Sequence, residues 1–518
     1  MTPLSRRAFL WTAAAASLTR PIVAREQREV AAAGRRFQHG VASGDPLTDR
    51  FVAWTRVTPP DPAAAQAIDV RWRVGTDPDL RRIVTRGVVR TDAARDYTVK
   101  VDVGGLRPGA TYYYAFDAAG DQSPVGRTKT LPQGEVSRFR FALVSCSNYP
   151  VGFFNVYRCI ANRPDLDAVI HVGDYIYEFG EGQIPAAAAI GRVPRPPREA
   201  VTLADYRIRY ATYRTDPDLQ EAHRLLPFIA VWDDHEVTND GWAHGAANHN
   251  PERGEGDWAT RQAAAYKAYL EWMPIRETPD AGIHLYRTFS IGTLADLVMI
   301  DTRSQRDQQV AGTNAAALAD PARTMLGAAQ EAWMFDRLRA SKRAGRAWTL
   351  LGQQVIFSPA TPPGMAPGDP DTWDGYQGQR ARVLDFLEHE QVRSLVILTG
   401  DAHSSWGFDV PRAPWAGYRS STGEGSLAVE LVTPAISSQP PGVFSRAGGD
   451  DAVAALRVAL PHLKVLDGLR RGYIVADLTP KAMRATWYYV PDVRVRSALE
   501  VAGASLACER NSAHLQPA

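Results

Sequence analysis

The chain has 518 residues, 45% of them hydrophobic, enough for a large core and more than one folded unit, because single cores stop growing near about 250–300 residues. Its 59 basic and 57 acidic residues leave a formal net charge of +2, which gives no electrostatic footprint for nucleic acid and disfavours a stable polyanion partner. Three widely spaced cysteines, Cys146, Cys159 and Cys508, exclude a disulfide framework, a zinc knuckle and a Cys-x-x-Cys redox pair. Whether Cys159 and Cys508 pair after export is left open by the sequence.

At the N-terminus, Arg6 and Arg7 precede an alanine-rich apolar stretch that ends in small residues. The pattern predicts a twin-arginine signal peptide over residues 1–24, cleaved after Ala24. It implies export of an already folded, cofactor-loaded protein by the twin-arginine translocation machinery, to the periplasm or the cell exterior. Arg20 interrupts the apolar run, and no later run is long and apolar enough to predict a transmembrane anchor.

Residues 37–132 read as a small all-β unit. "DVRWRVG", "YTVKVDVGGL" and "ATYYYAFDA" alternate with the strand period between Gly, Pro and Asp turns. "GLRPGATYYYAF" resembles the corner of fibronectin type III-like sandwiches, where a tyrosine hydroxyl ties a loop back to the backbone. A hairpin belonging to the main domain is the alternative.

From about residue 138 to 500 the pattern changes to short apolar runs separated by helices and long loops, the signature of an α/β layered fold, with residues 501–518 left as a C-terminal tail. "WATRQAAAYKAYLEWM" and "AAQEAWMFDRLRASK" predict core-packing helices. Each apolar run ends in chemistry: "FRFALVSCSNY" at Cys146, "DAVIHVGDYIYE" at Asp174 and Tyr177, "LPFIAVWDDHEVTND" at Asp233 to Glu236, "LADLVMIDTR" at Asp301, and "SLVILTGDAHSSW" at Asp401 and His403. Ligands of open sheets bind beyond the carboxyl ends of the strands, so these clusters are expected to converge at one rim. The apolar half of each run sets a position and the polar tip is what is positioned.

The donor types point to metal chemistry. A tyrosine phenolate three residues from a carboxylate suits a hard ferric ion, and carboxylates suit calcium, magnesium or manganese. A turn with a packed tyrosine is the bland reading of "GDYIY" alone, as a solvated acidic loop is of "WDDHE" and a structural His–Asp pair is of "GDAHSSW". Ser404 and Ser405 lack the Gly-x-Ser-x-Gly elbow of a serine nucleophile.

These segments, with "FQHGVASGDPLTDRFVAWTRV", "YRTFSIGTLADLVMIDTR", "LLGQQ" and "ELVTPAISS", resemble in their order the PhoD-like alkaline phosphatases and phosphodiesterases, relatives of the purple acid phosphatases within the calcineurin-like metallophosphoesterases. The resemblance implies an N-terminal β-sandwich followed by a four-layer αββα metallophosphatase sandwich with iron and calcium. It implies Cys146, Asp174, Tyr177 and His403 as iron ligands, Asp174 bridging to a second metal, and Asp401 holding that metal. "DDHE" takes the place of an Asn-His pair, with Asp234 as a ligand and His235 as the group that stabilises or protonates the leaving oxygen. The division among Asp233, Asp234 and Asn239 stays open. Relative to purple acid phosphatases, Cys146 replaces a leading Asp and the spare His ligand is missing, with Gln353 or Gln354 as candidates for its space. Arg303 is a candidate for phosphate binding, against a core salt bridge. The implied activity is in-line hydrolysis of phosphate mono- or diesters by metal-activated solvent. Its alternatives are a secreted binding protein with a structural metal site and a zinc hydrolase of another substrate class.

Overall fold

Alternation along the strand Leu395–Thr399 sets the layering of the whole catalytic region. Leu395 and Ile397 pack into a core with helical residues such as Met334, Leu338 and Leu384, whereas Val396 and Leu398 face a second sheet and share its core with Leu143 and Ile170. Leu297 and Met299 against Val298 and Ile300 divide in the same way. A strand buried on both faces must be apolar throughout, which is why these runs read as continuous grease.

The structure is a computed structural model and describes residues 36–59, 61, 66–184, 190–277, 285–310, 314–362, 365 and 367–518. The expected signal peptide, residues 1–24, lies outside the described residues. The N-terminal segment supplies β1 (Val41–Gly44), β2 (Phe51–Arg56), β3 (Ile68–Gly75), β4 (Ile83–Thr91), β5 (Thr98–Val103), β6 (Thr111–Ala118), β7 (Asp121–Gln122) and β8 (Gly126–Lys129). β4-β3-β6-β7 form one antiparallel sheet, with β8 also on β6, and it faces β1, β2 and β5 across a core containing Phe51, Val70, Tyr114 and Phe116. The tyrosine corner is present: the Arg107 backbone N–H donates to Tyr112 Oη at 2.8 Å.

The two expected domains share a sheet. β1 pairs in parallel with β11 (Pro227–Ala230), so the β1-β2-β5 face continues the sheet that also holds β9 (Phe139–Val144) and β10 (Ala168–His171). β19 (Arg471–Leu478), β20 (Ala482–Val490), β21 (Val501–Glu509) and β22 (Gln516–Pro517) complete ten strands in the order β22-β21-β20-β19-β9-β10-β11-β1-β2-β5. Residues 501–518, expected as a tail, are therefore corrected to edge strands of this sheet; the apolar residues Leu506 and Cys508 within them are buried.

The second sheet orders β12 (Arg287–Ile291), β13 (Ala295–Met299), β14 (Trp348–Gly352), β15 (Leu395–Thr399), β17 (Ser426–Val432), β16 (Ser405–Pro411) and β18 (Leu463–Asp467). β13, β14, β15 and β17 run parallel, as do β9, β10, β11 and β1. Helices α1 (Asn155–Ala161), α2 (Leu203–Tyr213), α3 (Pro217–Leu225) and α4 (Trp258–Trp272) contribute to the core of the first sheet, α5 (Gly327–Arg343) and α6 (Gln377–His389) to that of the second. Local chemistry starts them where the sequence changes register: Thr202 and Asp205 form a capping box on α2, and Asp216 caps α3 ahead of Pro217. Among the described residues no helix is long and apolar enough to cross a membrane.

Candidate metal centre

The carboxyl ends of the parallel strands in both sheets meet. Cys146 follows β9, Asp174 and Tyr177 follow β10, Asp233 to Glu236 follow β11, Asp301 and Arg303 follow β13, and Asp401 and His403 follow β15. The sheets are joined at this rim: Ser145 bridges Ala435, and the Thr433 hydroxyl donates to Leu143 O at 2.9 Å. Four of the polar tips sit in the left-handed region, Cys146 at φ 62°, Asp174 at 57°, Asp401 at 59° and His403 at 51°. For residues with a Cβ that backbone costs on the order of 1 kcal/mol each, and surrounding structure must hold it.

Close backbone approach does the holding. A Cβ on Gly173, itself at φ 108°, would lie 2.4 Å from Asp233 Cβ, and one on Gly400 would lie 2.8 Å from Ser145 Cβ. The glycine of each "GD" pair thus lets the β10 turn touch the β11 turn, and the β15 turn touch the end of β9. Glu236, fully buried, accepts the backbone N–H groups of Asp233 at 2.7 Å, Asp174 at 3.1 Å and Tyr175 at 2.5 Å. One carboxylate therefore ties the β10 and β11 turns together.

Around these turns three groups of donors lie with their ligand atoms within 4.8 Å of one another: Cys146, Asp174 and His403; Asp174, Asp234 and His235; and Asp233, Asp234 and Asp401. Tyr177 Oη stands among the first group, donating to Asp174 Oδ2 at 2.9 Å and lying 2.8 Å from His403 Nε2. Ser438 Oγ is 2.8 Å from the same phenol, and Gln439 O lies 2.8 Å from His403 Nδ1, which leaves Nε2 to face the group. Asp174 belongs to two of the three groups.

The donor set fits bound cations. Asp174 Oδ1 and Asp233 Oδ2 are buried and have no hydrogen-bond partner among the described residues, and such an oxygen carries a large desolvation cost unless something positive meets it. Burial, then the Asp174 carboxylate, pushes the Cys146 thiol well above its usual range, and burial, Asp174 and Cys146 do the same to the Tyr177 phenol. Burial and the neighbouring Asp233 carboxylate raise Asp401, and burial raises Asp233 and Asp234 against the pull of Arg303. Burial opposes ionisation of Asp174 too, but the His235 and His403 rings and the Tyr177 hydroxyl hold it below the ordinary carboxylate range. Cations among these donors would favour every deprotonated form at once.

His235 has a separate support. Its Nδ1 lies 2.7 Å from Glu178 Oε2, and Glu178 is fully buried. Glu178 Oε1 accepts from the Thr238 hydroxyl at 2.9 Å, the Asn239 N–H at 2.9 Å and Asn248 Nδ2 at 3.2 Å. Burial disfavours charge on His235, but the Glu178, Asp234 and Asp174 carboxylates outweigh it and hold the imidazole well above its usual value. The ring packs against Tyr177, centroids 4.1 Å apart.

Two matches to family models now decide the lineage: "PhoD-like phosphatase" over residues 141–487 and "PhoD-like phosphatase, N-terminal domain" over residues 22–132. The chain belongs to the PhoD-like phosphatase family. It is 36% identical over 504 residues to alkaline phosphatase D of Bacillus subtilis (strain 168), covering 93% of this chain and 82% of that one. A solved structure of PhoD superposes with a TM-score of 0.82 at 34% identity, covering 93% of this chain and 92% of the other. The chain is accordingly a phosphoester hydrolase with the mixed α/β fold of that structure.

Cys146, Asp174, Tyr177, Asp234, His235, Asp401 and His403 are brought to one rim. Two expectations are corrected, those for Arg303 and for Gln353 and Gln354. Arg303 is 3% exposed and its guanidinium is taken by carboxylates: Asp233, Asp371 at 2.6 Å and Asp401 at 3.2 Å, so the salt-bridge alternative holds over phosphate binding. Asn239 stands beside the same groups, its backbone N–H donating to Glu178 and its side-chain amide uncommitted among the described residues, so it is neither placed among the three donor groups nor removed as a candidate ligand. Gln353 is spent on Val355 O and Thr399 Oγ1, and Gln354 on Thr302 and Ile300 O, so neither fills the space of a spare histidine. Sequence reasoning missed Glu178 and Asp371, and it named Glu236 as part of "WDDHE" without its bracing role. The first stands four residues after Asp174 in "GDYIYE", a signal that was readable; Asp371 lies in an irregular "GDPDTWDG" loop with nothing to single it out.

Proposed function

We propose that this phosphoester hydrolase works through a mixed iron and calcium centre. Cys146, Asp174, Tyr177 and His403 would hold a ferric ion. Asp174 would be shared with a calcium ion that Asp234 and Asp401 would also hold. Sulfur and phenolate donors favour the ferric ion, and the carboxylates of Asp174, Asp234 and Asp401, drawn from the two neighbouring donor groups, favour calcium over zinc. When bound, the ions supply positive charge to the phosphoryl oxygens and lower the pKa of a solvent molecule.

His235 delivers a proton to the leaving oxygen, with Glu178 accepting from Nδ1 so that Nε2 is turned toward the substrate. Glu236 acts at one remove, by fixing the backbone of Asp174 and Asp233. Arg303 neutralises part of the acidic surround, which keeps the Asp233 and Asp401 carboxylates ordered at the metal centre. The twin-arginine segment supports loading and folding in the cytoplasm before export to the periplasm or exterior.

The observation that carries this reading is the orphaned, buried Asp174 oxygen at the junction of two donor groups, flanked by a thiol, a phenol and an imidazole. Its test is turnover of a phosphodiester and a phosphomonoester by enzyme stripped of metal and reloaded with iron, calcium, both, or zinc. Full activity is expected only with iron and calcium together. Equal activity with zinc alone would discard the assignment.

A further inference from the structure

The carboxyl end of β15 delivers Asp401 and His403, and its opposite end opens on a second concavity. A cavity of about 500 Å³ is lined there by Ser394, Arg393, Arg412, Thr422, Asn511 and His514, among others. With strands rising about 3.3 Å per residue, the five residues of β15 put it on the order of 15 Å or more from the metal centre. None of the groups assigned to hydrolysis lines it.

Its side chains are arranged to donate. His514 is 7% exposed, and its Nδ1 is pinned 2.6 Å from Asp409 Oδ2. Asp409 is itself fully buried and also accepts from the Tyr418 hydroxyl at 2.8 Å and the Leu515 N–H at 2.8 Å. The opposite ring atom, Nε2, bonds to no described residue and is not among the buried polar atoms that lack a partner, so the ring is held on one side and open to the cavity's solvent on the other. Arg393 likewise has no ion-pair partner among the described residues, although it lines the same cavity. Of the acidic lining residues, Glu424 lies 2.9 Å from Arg419, and Glu388 lies 3.6 Å from Arg412, whose closer partner is Asp385.

The end of α6 that approaches the cavity is closed by its own backbone. Val392 N–H donates to Leu387 O at 3.0 Å and Gln391 N–H to Glu388 O at 3.1 Å, with Gln391 left-handed at φ 50°. Its carbonyls are therefore not offered to a cation. Arginine and imidazole donors suit an oxyanion, and the hydroxyl and amide groups of Thr422, Ser512 and Asn511 suit a polyhydroxylated body. The cavity is also far larger than a lone phosphate fills. A close fit is built into the wall, since a Cβ on Gly423, at φ 72°, would lie 2.4 Å from His514 Cβ.

We propose that this cavity is a second, non-hydrolytic binding site for a sugar phosphate, its phosphate held by Arg393 and His514 Nε2 and its hydroxyls by the polar wall. The test is calorimetric titration of the metal-loaded enzyme with a phosphonate isostere of a hexose 6-phosphate, in parallel with inorganic phosphate and the unphosphorylated hexose. The isostere is expected to bind in a component beyond the one that competes with a chromogenic ester. Arg393→Ala, an exposed position, and His514→Gln are each expected to weaken that component at least tenfold and to leave competitive inhibition at the metal centre unchanged. A single component that is the same in wild type and Arg393→Ala overturns the site. Inorganic phosphate or the bare hexose binding the cavity as tightly as the isostere overturns the ligand class.

Discussion

Glu178→Gln isolates one charge from the shape around it. In the wild type the carboxylate lies 2.7 Å from His235 Nδ1 in a fully buried setting. The amide keeps an oxygen for Thr238, Asn239 and Asn248, so the loop after β11 retains its anchors. Facing His235, however, the amide must donate an N–H to Nδ1, and the ring then presents Nε2–H from a neutral imidazole, a weaker acid. A buried hydrogen bond to a charged group contributes about 1.5–3 kcal/mol, which corresponds to roughly 10- to 150-fold in rate. That loss is expected in kcat and kcat/KM for an alkyl phosphate, whose leaving oxygen needs the proton, with KM little changed. For a nitrophenyl ester, whose leaving group departs without help, the loss is expected to be less than about threefold. In a His235→Ala background Glu178→Gln should cost nothing further. Steady-state kinetics on the two esters reads all three outcomes. Equal losses on both esters, or a change confined to KM, would refute the role given to His235 and its carboxylate.

Gly173→Ala is expected to destabilise the fold by at least ~2 kcal/mol, because the new Cβ meets Asp233 Cβ at 2.4 Å and the backbone is at φ 108°; urea unfolding against Gly254→Ala, where nothing lies within 4 Å, separates clash from backbone strain. Chelation should lower the unfolding midpoint, since Asp174, Asp233, Asp234 and Asp401 are left facing one another, and scanning calorimetry before and after metal replacement should show recovery. Two buried histidines report on acid: burial, with Arg56 and Arg214, lowers His39 to about 3, and burial lowers His462 to about 4, both from 6.5. A folded value below the unfolded one means that their contribution is present above pH 6.5 and is lost as pH falls toward 4 and 3, at ~1.4 kcal/mol per unit for each ring. His462→Gln should therefore reduce the drop in urea midpoint between neutral pH and pH 4.5.

Much of this was legible before any coordinates, and the reason is mechanical. A parallel strand buried on both faces is a short apolar run, and a chain that must place a ligand at the carboxyl rim writes its donor directly after the run, as in "VIHVGD" and "VILTGD". The helices over residues 258–272 and 327–343 were visible from composition and spacing for a similar reason. What stayed hidden depends on long-range pairing. Nothing local says that β1 pairs in parallel with β11, Ser43 opposite Pro227, or that residues 501–509 pair near an edge of the same sheet. Arg303 could not be apportioned between substrate and protein because its partners, Asp233, Asp371 and Asp401, come from three other segments. Glu236 was counted as one more acid in "WDDHE", although its three backbone bonds make it the brace of the rim.

The central claim is that Cys146, Asp174, Tyr177 and His403 hold one catalytic cation together. Its most direct test is metal content per chain, by elemental emission, measured beside turnover for wild type and for His403→Ala and Tyr177→Phe purified without chelators. Iron near one equivalent in wild type, falling in step with activity in both variants, is the predicted result. Variants that lose iron yet keep full turnover, or keep iron with ligands removed, would contradict it.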